Sequence, residues 1–216
     1  MELVIDSLED VLPHIVPDTG IIHSEHDGYS VLNYVYSMER TFDSAIALEC
    51  RGLKFGPDGD LIARPLHKFF NLGEKRPPQE EPWEQAHLVL DKLDGSMIPP
   101  ALVKGDMVFM TRMGVTDHGR TALSLASDGL RALARDMLEA GFTAIFEYTG
   151  PENRIVVPYD VPELTLLAVR TSGRDGICRW TRSGGLRGGM MCRWCRRSGR
   201  WTMWRSSSRM RGRLRA

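Results

Sequence analysis

The first 173 residues contain a single cysteine, Cys50, so this part of the chain cannot form an internal disulfide. No apolar run approaches the roughly 18 residues that a membrane span requires. The acidic N-terminus also lacks the basic region of a secretory signal. Lysine does not occur after Lys104. The scarcity of cysteine and of long apolar runs predicts a soluble, cytoplasmic protein in a reducing compartment.

The formal net charge of zero conceals two segments of opposite sign. Residues 1–173 contain 15 Lys and Arg against 27 Asp and Glu, whereas residues 174–216 contain 13 Arg and one acid, Asp175. Such asymmetry indicates either a nucleic-acid-binding arm or a segment of different origin. We therefore expect one domain over 1–173, followed by a separate segment over 174–216.

Periodicity and turn residues predict mostly antiparallel strands in the first segment. A short helix is expected after Ser7, and one long helix over Thr121–Ala140, ended by Gly141. Strands are expected over 28–36, 45–55, 61–70, 97–103, 107–113, 142–148, 154–157 and 164–170, with hairpin turns at 56–59 and 104–106. This pattern is typical of an α+β fold of mainly antiparallel sheet with one long helix.

The stretch Asp91-Lys92-Leu93-Asp94-Gly95-Ser96 follows an apolar, strand-like run, His87–Leu90. A lysine amine attacks phosphorus only when neutral, and neighbouring cations or burial must promote that state. At a strand end before a tight Asp-Gly turn, Lys92 could face a cleft that binds a triphosphate. Alone the motif is weak evidence, because a charged hairpin end would have the same sequence.

Three further blocks accompany the lysine motif, and together the four are far more specific than any one of them. They are Glu-Cys-Arg-Gly-Leu-Lys-Phe at 49–55, Ala-Arg-Pro-Leu-His-Lys-Phe-Phe-Asn-Leu-Gly-Glu at 63–74, and Phe-Glu-Tyr-Thr-Gly-Pro-Glu-Asn-Arg-Ile-Val at 146–156. In this order, over roughly residues 28–170, the sequence resembles the bacteriophage-type ATP-dependent RNA ligases, the RNA repair branch of the covalent nucleotidyltransferases.

The resemblance implies a role for each of several residues. Lys92 would be the lysine adenylylated by ATP, and Asp94 and Gly95 would shape the turn around the nucleotide. Glu147 would lie near the ribose or a metal ion whose ligands are unknown. The remaining ATP-binding residues implied are Arg51, Lys68 and Phe70, with Arg112 where the family commonly has a phosphate-binding lysine. The fold implied is an adenylyltransferase domain, described as ATP-grasp-like, with ATP and Mg²⁺ as cofactors and RNA 5′-phosphate and 3′-hydroxyl ends as partners.

Some of these residues also have purely structural interpretations. Phe69 and Phe70 alternate in a predicted strand, so one of them is expected in the core. Arg51 and Lys68 could be solvated sheet charges. An electrostatic role is favoured because both lie in strands that lead to the lysine motif. Glu147 lies in an otherwise apolar run, where a carboxylate needs a partner, and this favours function.

The last 43 or so residues depart from the family pattern. The family has a Glu-Gly-x-Val motif and then a Lys-x-Lys strand, and neither is present after Arg170. The segment could be an RNA-binding arm, half a zinc site at Cys192 and Cys195, or the product of a shifted reading frame. We favour the shifted frame, and the composition predicts a largely disordered segment.

The sequence as a whole predicts an ATP-dependent RNA ligase that acts through a lysyl-AMP intermediate, with its adenylyltransferase domain incomplete and its activity weak or lost. A DNA ligase or a capping-type guanylyltransferase is an alternative that would share the lysine motif. A non-catalytic RNA-binding protein built from an acidic body and a basic tail is another. His14, His23 and His26 fit no zinc spacing.

Overall fold

The computed structural model describes residues 3–71, 74 and 90–173, together with the backbone of 180–182 and 190–192. The fold is α+β with antiparallel strand pairing throughout these residues, as the sequence predicts. The predicted strand-like run at His87–Leu90 lies outside the described residues except for Leu90, which is in no strand.

The first sheet has four strands in sequence order: β1 Ile21–His26, β2 Tyr29–Tyr34, β3 Arg51–Phe55 and β4 Leu61–Ala63. Strand β1 was not predicted. The hairpin between β3 and β4 is confirmed, because the Gly56 amide donates to the Asp60 carbonyl at 2.8 Å. Gly59 takes the positive φ of 87° that this turn requires.

Two of the strands predicted for this region are shorter than expected. Ala45–Glu49 forms a helix, α1, in which the Ser44 hydroxyl accepts from the Ala47 amide. The N-cap and the helix-favouring Ala and Leu explain why the strand begins only at Arg51. The strand predicted over 61–70 ends at Ala63, before the Arg64-Pro65 step, where proline cannot donate to a ladder.

The second sheet contains β5 Ser96–Ile98, β8 Phe142–Thr149 and β9 Glu163–Thr171, in that order. Strands β6 Pro100–Val103 and β7 Asp106–Phe109 form the predicted hairpin, with positive φ at Lys104 and Gly105. The segment predicted as one strand over 97–103 is divided at Pro99 between β5 and β6. Residues 154–157, predicted as a strand, are instead an irregular loop.

The long helix predicted over Thr121–Ala140 is two helices, α2 Asp117–Leu125 and α3 Asp128–Glu139. Ser127 caps α3 by accepting from the Leu130 amide. Arg131 donates to the carbonyls of Leu123 and Ala126 at the end of α2, both at 2.9 Å. These caps replace the backbone bonds that a continuous helix would make, so the chain can turn there. Gly141 ends α3 at a φ of 81°, as predicted.

Three apolar cores pack the sheets, the β6–β7 hairpin and the helices together. One lies among β1–β3, α1 and two 3₁₀ turns, Leu8–Asp10 and Leu12–His14, which replace the short helix expected after Ser7. A second packs the first sheet on the β6–β7 hairpin, and the third packs the second sheet on α2 and α3. In the basic segment, Trp180–Arg182 (β10) and Met190–Cys192 (β11) pair as antiparallel strands, where the sequence predicts none.

Candidate active site

Lys92 lies in an exposed, irregular segment immediately before β5. Strand β5 pairs with the C-terminal half of β8, where Ser96 lies opposite Tyr148 and Met97 opposite Glu147. This register brings the lysine motif to the strand that carries Glu147, so two residues 55 positions apart in the chain become neighbours. The positive charge of Lys92 acts on both Glu147 and Asp94.

Glu147 is buried on β8 and accepts a hydrogen bond from the Gly95 amide at 3.0 Å. Burial raises the pKa of this carboxyl above its usual range, because a charged carboxylate is poorly solvated there. The Gly95 hydrogen bond and the charges of Lys92 and Arg51 lower that pKa, while Asp94 raises it, and burial has the largest effect.

Position 95 has no room for any side chain, so this structure requires glycine there. A Cβ atom at this position would lie 2.1 Å from the Tyr148 carbonyl oxygen, closer than any side chain can approach. The missing side chain therefore lets the lysine motif lie directly against β8. That close approach also places the Gly95 amide on Glu147.

Asp94 fixes a neighbouring loop. Its carboxylate accepts from the Val156 and Val157 amides at 2.6 and 2.7 Å, and its own amide donates to the Tyr159 hydroxyl at 3.2 Å. These backbone hydrogen bonds hold the pKa of Asp94 below its usual range. The Asp of the lysine motif therefore fastens the irregular 154–160 loop beside Lys92.

We expect Asp94→Ala to release this loop. The Val156 and Val157 amides would lose their acceptor, so their hydrogen exchange should accelerate strongly while the exchange of β8 amides stays slow. Exchange measured by mass spectrometry or NMR tests this. Asp91→Ala, three residues away and also exposed, is the matched control. Equal protection of both valine amides in the two variants would contradict the assignment.

Asn153 holds the same region from the other side. Its side-chain amide donates to the Tyr148 carbonyl at 2.6 Å, and its side-chain oxygen accepts from the Ser96 hydroxyl at 2.9 Å. The buried Asn153 thus connects the start of β5, the end of β8 and the loop that follows.

Arg51, at the start of β3, reaches from the first sheet to Met97 of β5, the residue that follows the lysine motif. Its guanidinium lies 3.8 Å from the Met97 sulfur and 5.2 Å from the centre of the Phe69 ring. Its charge also acts on Glu147. The first and second sheets therefore meet at Arg51, next to Glu147.

A run of aromatic rings with cations over their faces extends from this point along the first sheet. Tyr34 packs edge-on against Phe42, and Phe42 packs edge-on against Phe70. The Lys68 ammonium lies 4.5 Å from the centre of the Phe70 ring, and the Arg112 guanidinium lies 5.2 Å from that of Tyr34. We call Tyr34, Phe42, Phe69 and Phe70, with Arg51, Lys68 and Arg112, the cation–aromatic surface.

The structure thus brings the residues singled out in the sequence into one continuous region. Lys92, Asp94, Gly95 and Glu147 form one end, and Arg51, Lys68, Phe70 and Arg112 belong to the cation–aromatic surface at the other. Phe69 is the more exposed of the two phenylalanines, and neither lies in a strand. Sequence reasoning missed Tyr34 and Phe42. The aromatic run of β2 was an available signal for Tyr34 only.

Sequence reasoning also missed a buried charge cluster beneath the site. Glu49 at the end of α1 accepts from Arg170 on β9 at 2.5 and 2.8 Å, and from the Arg64 Nε at 3.2 Å. Both arginine side chains are fully buried. Arg170 also donates to the Pro65 carbonyl, and Arg64 donates to the carbonyls of Ser172 and Gly173. This Glu49 cluster ties the two sheets together.

Lys54 is a further residue without a predicted role, and it is fully buried on β3. Its ammonium nitrogen donates to the Gly52 carbonyl oxygen at 2.5 Å. Among the described residues, no carboxylate lies within ion-pair distance of it. Burial lowers the pKa of Lys54 from its usual 10.5 to about 7.

This lowered pKa predicts a pH dependence of stability. Between pH 7 and 10.5 the unfolded chain holds a proton on Lys54 that the folded chain has released, so stability rises with pH, by up to about 1.4 kcal/mol per unit. Lys54→Met should remove that rise, measured as urea midpoints between pH 7 and 9.5. Lys104→Met, an exposed lysine paired with Asp27, should keep it. The same slope in all three proteins would contradict the prediction.

Neither a membrane span nor a metal cluster is found in the part of the chain that the structure describes. None of the helices there is long and apolar enough to cross a membrane. In the same residues, no group of three or more His, Cys, Asp or Glu is arranged to hold a metal ion.

Comparison with known proteins gives the family. A family model described as RNA ligase matches residues 49–180, which is more than half of the 216-residue chain. The chain belongs to the RNA ligase family. All eight site residues singled out in the sequence lie inside the matched range.

Individual RNA ligases agree with this assignment. The chain is 37% identical over 145 residues to the "Putative RNA ligase" of Thermovibrio ammonificans, an alignment that covers 64% of this chain and 38% of that protein. It is 31% identical over 164 residues to RNA ligase 1 of bacteriophage TS2126, covering 70% of this chain and 42% of the phage protein. The chain therefore aligns with less than half the length of either relative.

Proposed function

We propose that this RNA ligase family member joins RNA ends with ATP through a covalent adenylyl group on Lys92. The observation that carries the proposal is that two cations act on Glu147: Lys92, which the pairing of β5 with β8 brings to that strand, and Arg51 of β3. The cation–aromatic surface next to them supplies what a nucleotide needs, namely apolar ring faces for a base and positive charge for phosphates.

The proposed reaction has three steps. The Lys92 amine attacks the α-phosphorus of ATP, forming a phosphorus–nitrogen bond and releasing pyrophosphate. The 5′-phosphate of an RNA then displaces Lys92 and takes the AMP. Finally an RNA 3′-hydroxyl attacks that 5′-phosphate, forming the phosphodiester and releasing AMP. In each step the protein stabilises the negative charge on the phosphoryl group that is transferred. This stabilisation is the largest contribution that a protein makes to the rate of such reactions.

The residues of the site have distinct roles in this scheme. Arg51, Lys68 and Arg112 would neutralise phosphate charge, and Phe70 would contact the adenine. Gly95 gives the backbone its close approach to β8, and Asp94 holds the loop beside Lys92. Glu147 would contact the ribose or serve as one ligand of Mg²⁺, which when bound stabilises charge on the transferring phosphate. We propose on the same grounds that residues 3–173 form a nucleotidyltransferase fold.

Incubation of the protein with Mg²⁺ and ATP labelled at the α-phosphate tests the proposal. We expect a covalent adduct of one AMP that forms slowly, because the lysines of the family's Lys-x-Lys strand are absent after Arg170. The adduct should be stable to denaturation, and peptide mass spectrometry should place it on Lys92. A parallel incubation uses GTP. An adduct from GTP and none from ATP would favour a capping-type guanylyltransferase, and no adduct from either nucleotide at high concentration would contradict the proposal.

A further inference from the structure

Lys54 and Arg51 are three residues apart, and in a regular strand that spacing would place them on opposite faces. In β3 they lie on the same face. Val31 of β2 pairs with Lys54 and Asn33 pairs with Arg51, and residues two apart in a strand share a face. Gly52, which has no partner in this ladder, is the additional residue of a bulge, with a φ of 88°. The bulge therefore turns Arg51 to the side on which Lys54 is buried.

The same glycine also lies against Arg112. A Cβ atom at Gly52 would be 2.8 Å from the Cα and the carbonyl oxygen of Arg112, and 3.0 Å from the Lys54 ammonium nitrogen. Three basic residues, two on the cation–aromatic surface and one beneath it, thus meet around Gly52. The Lys54 amine donates to the Gly52 carbonyl, in the peptide bond between Gly52 and Leu53.

No carboxylate lies within ion-pair distance of Lys54 within the described residues, and the Glu147 carboxylate acts on Arg51 instead. The charged and titratable side chains on the elements packed around Lys54 are Arg51 of β3, Tyr29 and Tyr34 of β2, Lys104 and Asp106 at the exposed turn of the β6–β7 hairpin, and Arg112 of the loop after β7. Ala63 of β4 and the β6–β7 hairpin contribute apolar side chains. Burial without an anion favours the neutral amine, in agreement with a pKa of about 7.

We infer that Lys54 takes up a proton from solvent when a nucleoside triphosphate binds at the cation–aromatic surface, which makes it a proton-linked electrostatic residue of that site. This inference rests on the proposed function, because it needs phosphates next to Arg51 and Arg112. The incoming negative charge replaces the anion that the buried amine lacks. Protonation in turn adds a positive charge behind the two arginines, so proton and nucleotide bind cooperatively.

Calorimetric titration with α,β-methylene-ATP tests the inference without covalent transfer, because the analogue cannot release pyrophosphate. Titration at pH 7.5 in two buffers of different ionisation enthalpy gives the number of protons taken up. We expect the wild-type protein to take up a substantial fraction of one proton more than Lys54→Met. The difference between the two proteins removes the contribution of the ligand's own phosphate ionisation.

The affinity for the ATP analogue should therefore depend on pH. Between pH 6.5 and 8.5 the affinity of the wild-type protein for the analogue should fall about tenfold more than that of Lys54→Met, since a single linked proton gives at most tenfold per pH unit. Lys104→Met, which changes an exposed lysine on the β6–β7 turn, should behave as wild type in both experiments.

Equal proton uptake by the wild-type protein and Lys54→Met would overturn the inference. If Lys54→Met does not fold, NMR titration of the Lys54 side chain in the wild-type protein, with and without the analogue, decides instead. An unchanged titration midpoint on binding overturns the inference, and an upward shift supports it. Covalent labelling by ATP without a proton difference would overturn this inference alone. Failure of the analogue to bind would overturn it together with the proposed nucleotide site.

Discussion

Lys92→Ala is expected to abolish covalent labelling by ATP, with a loss of at least about 10³-fold in the rate of adduct formation. The proposed reaction makes its first bond to the Lys92 amine, and the Asp91–Ser96 stretch contains no second lysine. Lys92→Arg should be equally inactive, because the guanidinium stays protonated and cannot act as a nucleophile. The measurement is radiolabel or intact mass after incubation with Mg²⁺ and ATP.

Two controls make this result specific. Lys104→Ala removes an exposed lysine on the β6–β7 turn and should label as wild type. Lys92 is itself exposed and lies outside every strand, so Lys92→Ala should unfold at the same urea concentration as wild type. Retention of label in Lys92→Ala would move the nucleophile to another residue and remove the basis of the proposed reaction.

Glu49→Gln is expected to destabilise the fold by about 3–5 kcal/mol, because it leaves two buried arginines facing a neutral amide. In the native structure the Glu49 carboxylate accepts from both Arg64 and Arg170, and none of the three side chains has appreciable access to water. The glutamine keeps the size of the side chain but supplies one acceptor atom and no charge.

Urea or thermal denaturation measures this loss directly. Glu163→Gln, at the exposed start of β9, is the matched control and should change stability by less than about 0.5 kcal/mol. The Glu49 cluster joins α1, the segment after β4 and the end of β9. The variant should therefore also increase hydrogen exchange where β8 and β9 pair near Arg170. Wild-type stability of Glu49→Gln would show that the cluster contributes little.

The antiparallel α+β class followed from sequence because turn residues and alternation act over a few positions. The hairpin turn at 56–59, the turn at 104–106 and the strand over 142–148 were predicted on these grounds, and all three are present, the strand as Phe142–Thr149. Two N-cap serines, which are local signals of equal strength, were overlooked. The Ser44 cap converts Ala45–Glu49 to helix, and the Ser127 cap divides the long helix.

The division of the helix shows why such boundaries are hard to predict. Helical spacing of apolar residues continues through Ala126 and Ser127, so periodicity indicates one element. The break depends on Arg131, whose guanidinium reaches back to the carbonyls that end α2. A long arginine can equally point to solvent, and its choice of partner depends on how α2 and α3 pack on the second sheet.

The candidate site was predictable as a set of residues and only partly as an arrangement. The motif around Lys92 and the blocks upstream and downstream supplied all eight candidate residues, and their roles remain a proposal. The sequence did not indicate that the Asp94 carboxylate holds the Val156 and Val157 amides, or that Gly95 is needed for contact with the Tyr148 carbonyl. Those contacts join residues more than 50 positions apart, and local pattern has no access to them.

The sequence by itself determined the fold class, the family blocks and the placement of Lys92 before an Asp-Gly turn, because these depend on residue type and short spacing. Tertiary structure alone decided that Lys92 is brought to the strand that carries Glu147, that Gly52 lies against both the Arg112 backbone and a buried Lys54, and that Glu49 joins two arginines from distant segments. The physical reason is that charge and burial act through space. The effect of a lysine or a glutamate depends on which strands pair around it, and the pairing of β5 with β8 sets that here.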